Sequence, residues 1–202
     1  MLHANALETL RGWAAPDDAQ DELRRAYVRH LLDHDDGMLV TCVPAHLTAS
    51  ALVLDATGER VLLTHHRKGG FWAQLGGHVE ETDRSLADAA LREGREESGI
   101  EALRLLGDGP VDLDAHELSS AFGRCGTHLD VRYAAVPAGV VADIGRLVDR
   151  ARDLLAQSAV TSASTASAAS VPLDVSSSVS SDVSSSASSR SPSSAVADTP
   201  SR

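Results

Sequence analysis

The sequence predicts an α/β (α+β) chain, and three features carry that prediction. A helix-periodic stretch lies near the start, β-rich runs bounded by turn residues follow, and a glutamate-rich helix interrupts them. At 202 residues with 43% hydrophobic content, there is room for one domain with appendages and a substantial core. The expected divisions are a helical cap over 1–37, a main domain over 38–156 and a Ser/Ala-rich disordered tail over 157–202.

From the start, a short helix is expected around Ala6 to Gly12. A longer amphipathic one spans Asp21 to His34, where Leu23, Ala26, Tyr27, His30 and Leu31 recur at helical spacing, and Asp35-Asp36-Gly37 ends it. Two β-rich runs come next, His46 to Asp55 and Arg60 to His66. The intervening Ala56-Thr57-Gly58-Glu59 suits a tight turn, so together they read as a hairpin. Arg67 to Gly70 is a basic loop, and Phe71 to Gly77 leads into a helix from Ser85 to Ser98 closed by Gly99. Further strands are expected at Leu103 to Leu106, near Ala115 to Ser119 and at His128 to Val136, before a helix from Ile144 to about Ala156. Beyond Gln157 the composition is too poor in apolar bulk to order itself.

The formal charge is −11. After Ala156 three aspartates face two arginines, so the tail supplies −1 and the acidity belongs to the first 156 residues. Such a balance repels nucleic-acid backbones and anionic membranes, which argues against both as partners; a small anionic substrate fits if metal ions neutralise both sides. No apolar stretch approaches the roughly 20 residues of a membrane span, and MLHANALETLRGW lacks a signal pattern, so a cytoplasmic location is expected. Cys42 and Cys125 lack zinc-ribbon spacing and read as ordinary thiols.

The chemistry concentrates in Leu75 to Ile100, LGGHVEETDRSLADAALREGREESGI. At about 100° per residue Leu86, Ala90, Glu93, Glu97 and Ile100 share one helix face, with Glu96 beside them. Carboxylates on an otherwise apolar face are expected to be desolvated and mutually repelling unless a cation compensates, and a hard divalent ion such as Mg²⁺ or Mn²⁺ prefers oxygen ligands. Gly76-Gly77 permits close backbone approach, which allows a carbonyl to reach the same ion. Arg92 is placed to grip a carboxylate at two points and fix its direction.

This segment resembles the Nudix family, whose motif reads Gx5Ex7REUxEExGU with U aliphatic. Gly77, Arg92, Glu93, Glu96, Glu97, Gly99 and Ile100 match it in order. The resemblance implies a Nudix-type α/β/α sandwich with a mixed sheet, in which a loop, helix and loop bind metal. It implies Glu93, Glu96 and Glu97 as metal ligands with the Gly77 carbonyl, Arg92 as the orienting arginine, and Mg²⁺ (or Mn²⁺) as cofactor. The activity implied is cleavage of a diphosphate linkage in a small nucleotide-type substrate by water attack on phosphorus. Glu96 is named as general base, with Glu93 and Glu97 almost equally placed.

There are departures from the family pattern. Asp83 stands where the early Glu is expected, eight residues rather than seven separate it from Arg92, and Gly94 replaces an aliphatic residue. Gly94 is expected to weaken the helix interior by up to about 1 kcal/mol and to remove a core contact. After Val136 the chain runs almost directly from strand into helix, which removes a further strand and an acidic segment expected from the resemblance.

Around the motif, Arg67, Lys68, Trp72 and His78 are the candidate substrate-binding residues, with His65 and His66 nearby. His46 and His128 each begin a strand and read as structural. Asp130 and Arg132 alternate with Leu129, Val131 and Tyr133 as on a half-exposed strand. The competing reading is a Nudix-fold module that binds or senses a nucleotide and cleaves it weakly. An isomerase acting on a diphosphate ester is a third, for which the acid and thiol it needs have no clear place near the motif.

Overall fold

The computed structural model describes residues 1–66, 71–118, 126–140 and 143–168. Helices α1 (Leu2–Gly12) and α2 (Asp18–Asp33) come first, followed by strands β1 (Ala45–Leu54), β2 (Val61–Leu62), β3 (Thr64–His66), β4 (Phe71–Ala73) and β5 (Leu75–His78). Helix α3 (Leu86–Ser98) precedes β6 (Leu103–Leu105), β7 (Asp112–Glu117) and β8 (Thr127–Pro137), and α4 (Ile144–Ala168) ends the order. Among the described residues no helix is long and apolar enough to cross a membrane.

The sheet is mixed. β1 and β8 form its centre as a parallel pair running from Ala45↔Thr127 to Val53↔Ala135. The outer edge of β1 is shared by β2 and β5, both antiparallel, and the outer edge of β8 by β6 and β7, also antiparallel. That sharing explains why the run Arg60 to His66 is not one strand. Residues 48–51 of β1 already pair with β5, so after Leu62 the chain leaves the sheet, and Thr64–His66 pairs with Phe71–Ala73 as a separate hairpin.

Period-two alternation gives the sheet two faces. On one, Leu47, Ala49, Ala51, Val131 and Tyr133 pack with Ala6 and Leu10 of α1, Tyr27 and Leu31 of α2, and Leu86, Ala89 and Ala90 of α3. The other face is apolar only at one end, where Leu52, Leu54, Ala134 and Val136 meet Leu147, Ala151 and Leu155 of α4. Helices on both faces make the α/β/α sandwich; each leucine buried in it contributes about 1.5–3 kcal/mol. Asp17 caps α2 by accepting from the Gln20 amide, and the Gln20 side chain bonds both the N–H and the carbonyl of Leu113, closing part of the β7 edge.

Two expectations need correction. The last helix continues to Ala168, beyond its expected end near Ala156. Residues 169–202 lie outside the described residues. Asp130 and Arg132 do not line a half-exposed strand either. β8 has partners on both edges, Asp130 is buried, and its carboxylate accepts from Thr48 Oγ1 at 3.0 Å and Ser50 Oγ at 2.7 Å. Arg132 is held between Asp130, Asp112 and Asp114. Between Pro137 and Ile144 there is no strand among the described residues, in line with the abbreviated sequence there.

Candidate metal and catalytic site

Local sequence dictates the position of α3. The Ser85 side chain accepts from the Asp88 N–H at 3.0 Å and starts the helix, while Gly99, with φ 70°, ends it by donating to the Arg95 carbonyl. Leu86, Ala89, Ala90 and Gly94 turn toward the sheet, and Glu93 occupies the next place on that face. Gly94 does not leave a hole: a Cβ there would stand 3.2 Å from Leu103 Cδ1 and 3.7 Å from Ala51 Cβ. The expected missing core contact is therefore already supplied by Leu103.

β5 brings two glycines up against this helix. At Gly77 a Cβ would stand 2.7 Å from Glu93 Oε1, so the absent side chain is the space in which the Glu93 carboxylate lies. Gly76 points the opposite way, where a Cβ would meet the Ser50 backbone at 2.8 Å, and its N–H donates to Glu97 Oε2 at 3.0 Å. Two carboxylates from successive turns of α3 thus converge on one glycine pair.

Arg92 organises the rest. Its Nε and Nη2 donate to the two oxygens of Asp83 at 3.1 and 3.0 Å, and Nη2 also reaches the His78 carbonyl at 2.9 Å. The remaining nitrogen, Nη1, donates to Glu93 Oε1 at 2.9 Å and Glu96 Oε2 at 3.2 Å. Asp83, whose side chain is 5% exposed, is the residue that takes the two-point grip, a role the sequence signalled only by its place in the motif. The Asp83 pairing first, then Glu93, pushes the Arg92 pKa further up, so this cation is permanent.

The expected desolvation of the glutamates holds for one of them. The Glu93 side chain is 15% exposed, and burial raises its pKa against the opposing pull of Arg92, with Glu96 and Glu97 adding repulsion. Glu96 is 59% exposed and Glu97 is also exposed, both lying in the last turn of α3. The donor set is three carboxylates around a glycine cradle, with Arg92 paired to Glu93 and Glu96. Three clustered carboxylates offset by one guanidinium are hard oxygen donors that fit a small divalent cation.

The structure brings Gly77, Arg92, Glu93, Glu96 and Glu97 together. His78 joins them through its carbonyl alone. By strand alternation its ring lies on the sheet face away from Glu93, with its centroid 5.1 Å from that of His46 and 5.1 Å from that of His128. Burial, then His46, lowers the His78 pKa, and burial with the surrounding histidines lowers that of His128 to about 3. In the sequence His46 and His128 look like lone structural residues, because only the parallel register of β1 and β8 makes them neighbours. Trp72, 67% exposed, sits on the separate β3–β4 hairpin edge-on to His65. Arg67 and Lys68 lie outside the described residues, as does the side chain of His66. Cys42 is a buried free thiol, and Cys125 is outside the description.

Residues 44–139 match the model of a family described as the NUDIX domain. A solved structure from Clostridium perfringens described as a NUDIX-family hydrolase is similar, with TM-score 0.39 and 24% identity over 50% of this chain and 75% of that one. The E. coli dihydroneopterin triphosphate pyrophosphohydrolase is similar too, with TM-score 0.39 and 20% identity over 48% of this chain and 73% of that one. No curated protein matches the sequence.

Proposed function

We propose, from the premise that the chain belongs to the Nudix hydrolase family through residues 44–139, that it hydrolyses a diphosphate linkage in a small nucleoside diphosphate derivative with Mg²⁺ or Mn²⁺. The observation that carries this reading is the convergence of Glu93 and Glu97 on Gly76-Gly77, with Arg92 bridging Glu93 to Glu96. Family members use divalent ions, and Glu93, Glu96, Glu97 and the Gly77 carbonyl are the groups we assign to hold them here.

When bound, the ion offsets charge on the diphosphate oxygens and lowers the pKa of the attacking water. The chain's own part follows from the geometry. Arg92, anchored by Asp83 and the His78 carbonyl, fixes the direction of Glu93 and Glu96, so that neither must be oriented as the reaction proceeds. Glu96, at 59% exposure, reaches water most freely and is assigned as the general base, with Glu93, whose pKa burial raises, as its alternate. Trp72, Arg67 and Lys68 are assigned to the substrate; His78, expected there from the sequence, is withdrawn from that role because its ring lies on the opposite face of the sheet beside His46 and His128.

A binding or sensing module is favoured by one observation, the direct passage from β8 to α4 without an intervening strand among the described residues. One experiment separates the two: incubation with Mg²⁺ and a panel of nucleoside triphosphates, nucleotide sugars and dinucleoside polyphosphates, with phosphate and pyrophosphate release measured. Release from at least one panel member that stops on chelation supports the hydrolase. Saturable binding of a panel member without release supports the sensor and ends the hydrolytic reading.

A further inference from the structure

We infer that His46, His78 and His128 form a second metal site, distinct from the glutamate cluster, that takes a transition-metal dication of the Zn²⁺ type. Strand pairing puts the three on one face of the sheet. His46 of β1 and His128 of β8 are direct partners, and His78 of β5 stands opposite Thr48, two residues further along β1. The ring centroids make a nearly equilateral triangle, 5.1, 5.2 and 5.1 Å on a side. One ring nitrogen from each residue lies within 4.8 Å of the other two. A tetrahedral ion bound at about 2.0–2.1 Å draws such nitrogens to about 3.4 Å apart, a contraction that modest ring rotation supplies.

The hydrogen bonding says what the nitrogens of His46 and His128 lack. His46 is fully buried, and its Nδ1 lies 3.0 Å from the Cys42 carbonyl oxygen. A carbonyl can only accept, so Nδ1 carries the proton and Nε2 is left with its lone pair. That Nε2 is buried without a hydrogen-bond partner, and so is the Nε2 of His128. Buried polar atoms are normally satisfied, and two orphaned ring nitrogens in one triangle call for an electron-pair acceptor. A ring whose other nitrogen donates to a backbone carbonyl is the usual arrangement of a ligating histidine.

The donor chemistry selects the ion. Three imidazole nitrogens suit Zn²⁺, Co²⁺, Ni²⁺ or Cu²⁺, whereas Mg²⁺ prefers the oxygens on the opposite face. Three protein ligands leave a fourth position for water or an anion. This site does not depend on the assignment of the glutamates, because the histidine rings lie on one face of the sheet and α3, which carries the glutamates, packs on the other.

The test uses the full chain, stripped by a chelator and dialysed, titrated with Co²⁺ and then Zn²⁺. One equivalent of Co²⁺ is expected to bind with the intense visible absorption of tetrahedral coordination and to be displaced by Zn²⁺. His46→Gln and His128→Gln are each expected to weaken Zn²⁺ binding by more than about 100-fold, beyond the loss that outer-shell changes cause. Glu97→Gln is expected to leave it unchanged. In the unsubstituted protein, where folding is not in question, Zn²⁺ is expected to shift the imidazole ¹⁵N resonances of three histidines. Absence of the tetrahedral band, unperturbed imidazole resonances, or Zn²⁺ affinity that follows Glu97 instead of the histidines overturns the proposal.

Discussion

Asp83 and Arg92 meet in a two-point ion pair, Oδ1 to Nε at 3.1 Å and Oδ2 to Nη2 at 3.0 Å, although eight residues separate them. The pair joins the loop before α3 to the middle of the helix. Asp83 also accepts from the Glu80 N–H at 2.9 Å, so its carboxylate is fixed from both sides. The shorter acid suffices where the family pattern has Glu because the loop, longer by one residue, delivers it to the guanidinium.

Asp83→Asn is therefore expected to act on activity through Arg92. Arg92 keeps Glu93, Glu96 and the His78 carbonyl, so the stability loss is expected to be about 1–3 kcal/mol, less than for a fully orphaned charge. Turnover of any diphosphate the protein hydrolyses is expected to fall about 10- to 100-fold, as for loss of an outer-shell partner. Urea unfolding and steady-state kinetics check the two figures; a variant with normal turnover would show that Arg92 needs no anchor.

The two glycines are expected to fail differently. Gly77→Ala forces its methyl group toward a carboxylate at the end of a flexible side chain, so the protein is expected to fold while Glu93 is displaced and activity drops. Gly76→Ala meets the Ser50 backbone, which cannot step aside. That variant is expected to lose more than about 2 kcal/mol of stability, as overpacking does. Thermal unfolding of both, alongside turnover of Gly77→Ala, checks the distinction.

At Gly94 the gain in helix propensity from Ala, up to about 1 kcal/mol, is set against a 3.2 Å contact with the tip of Leu103, so little net change is expected. Gly94→Ile, which restores the aliphatic residue of the family pattern, is expected to destabilise by about 1–3 kcal/mol because Leu103 and Ala51 already occupy the room. A denaturation midpoint higher in Gly94→Ile than in the parent would contradict this packing.

Asp112 supplies a pH dependence. Burial raises its pKa to about 6, against the pull of Arg132. A carboxyl with a folded pKa above its unfolded value stabilises fully below the unfolded pKa, and that stability is lost as pH rises through about 6. The loss is at most about 3 kcal/mol. Asp112→Asn is expected to flatten the fall in unfolding free energy between pH 4 and pH 7, since Asp114 and Asp130 still hold Arg132. Equal slopes in parent and variant would rule this origin out.

What could be read from the sequence was local. The stripe of Leu86, Ala90 and Glu93, the Ser85 start and the Gly99 stop place α3 from one stretch of chain, and the Gly77–Glu93 approach follows from the same motif. What depended on strand pairing was hidden. Leu63 looks like the middle of a strand until β5 is known to occupy that edge of β1, and Asp130 looks solvent-facing until β7 is known to cover β8. His46, His78 and His128 are separated by long stretches of chain, and only the register of three strands turns them into one cluster.

The most direct measurement is Mn²⁺ titration of the parent and Glu97→Gln, followed by magnetic resonance of the free ion, with diphosphate turnover read in the same samples. Weaker Mn²⁺ binding in the variant together with turnover reduced about 100-fold or more, equivalent to about 3 kcal/mol of barrier, is the predicted result. Undiminished Mn²⁺ affinity and turnover in Glu97→Gln would contradict the assignment of α3 as the metal-holding element.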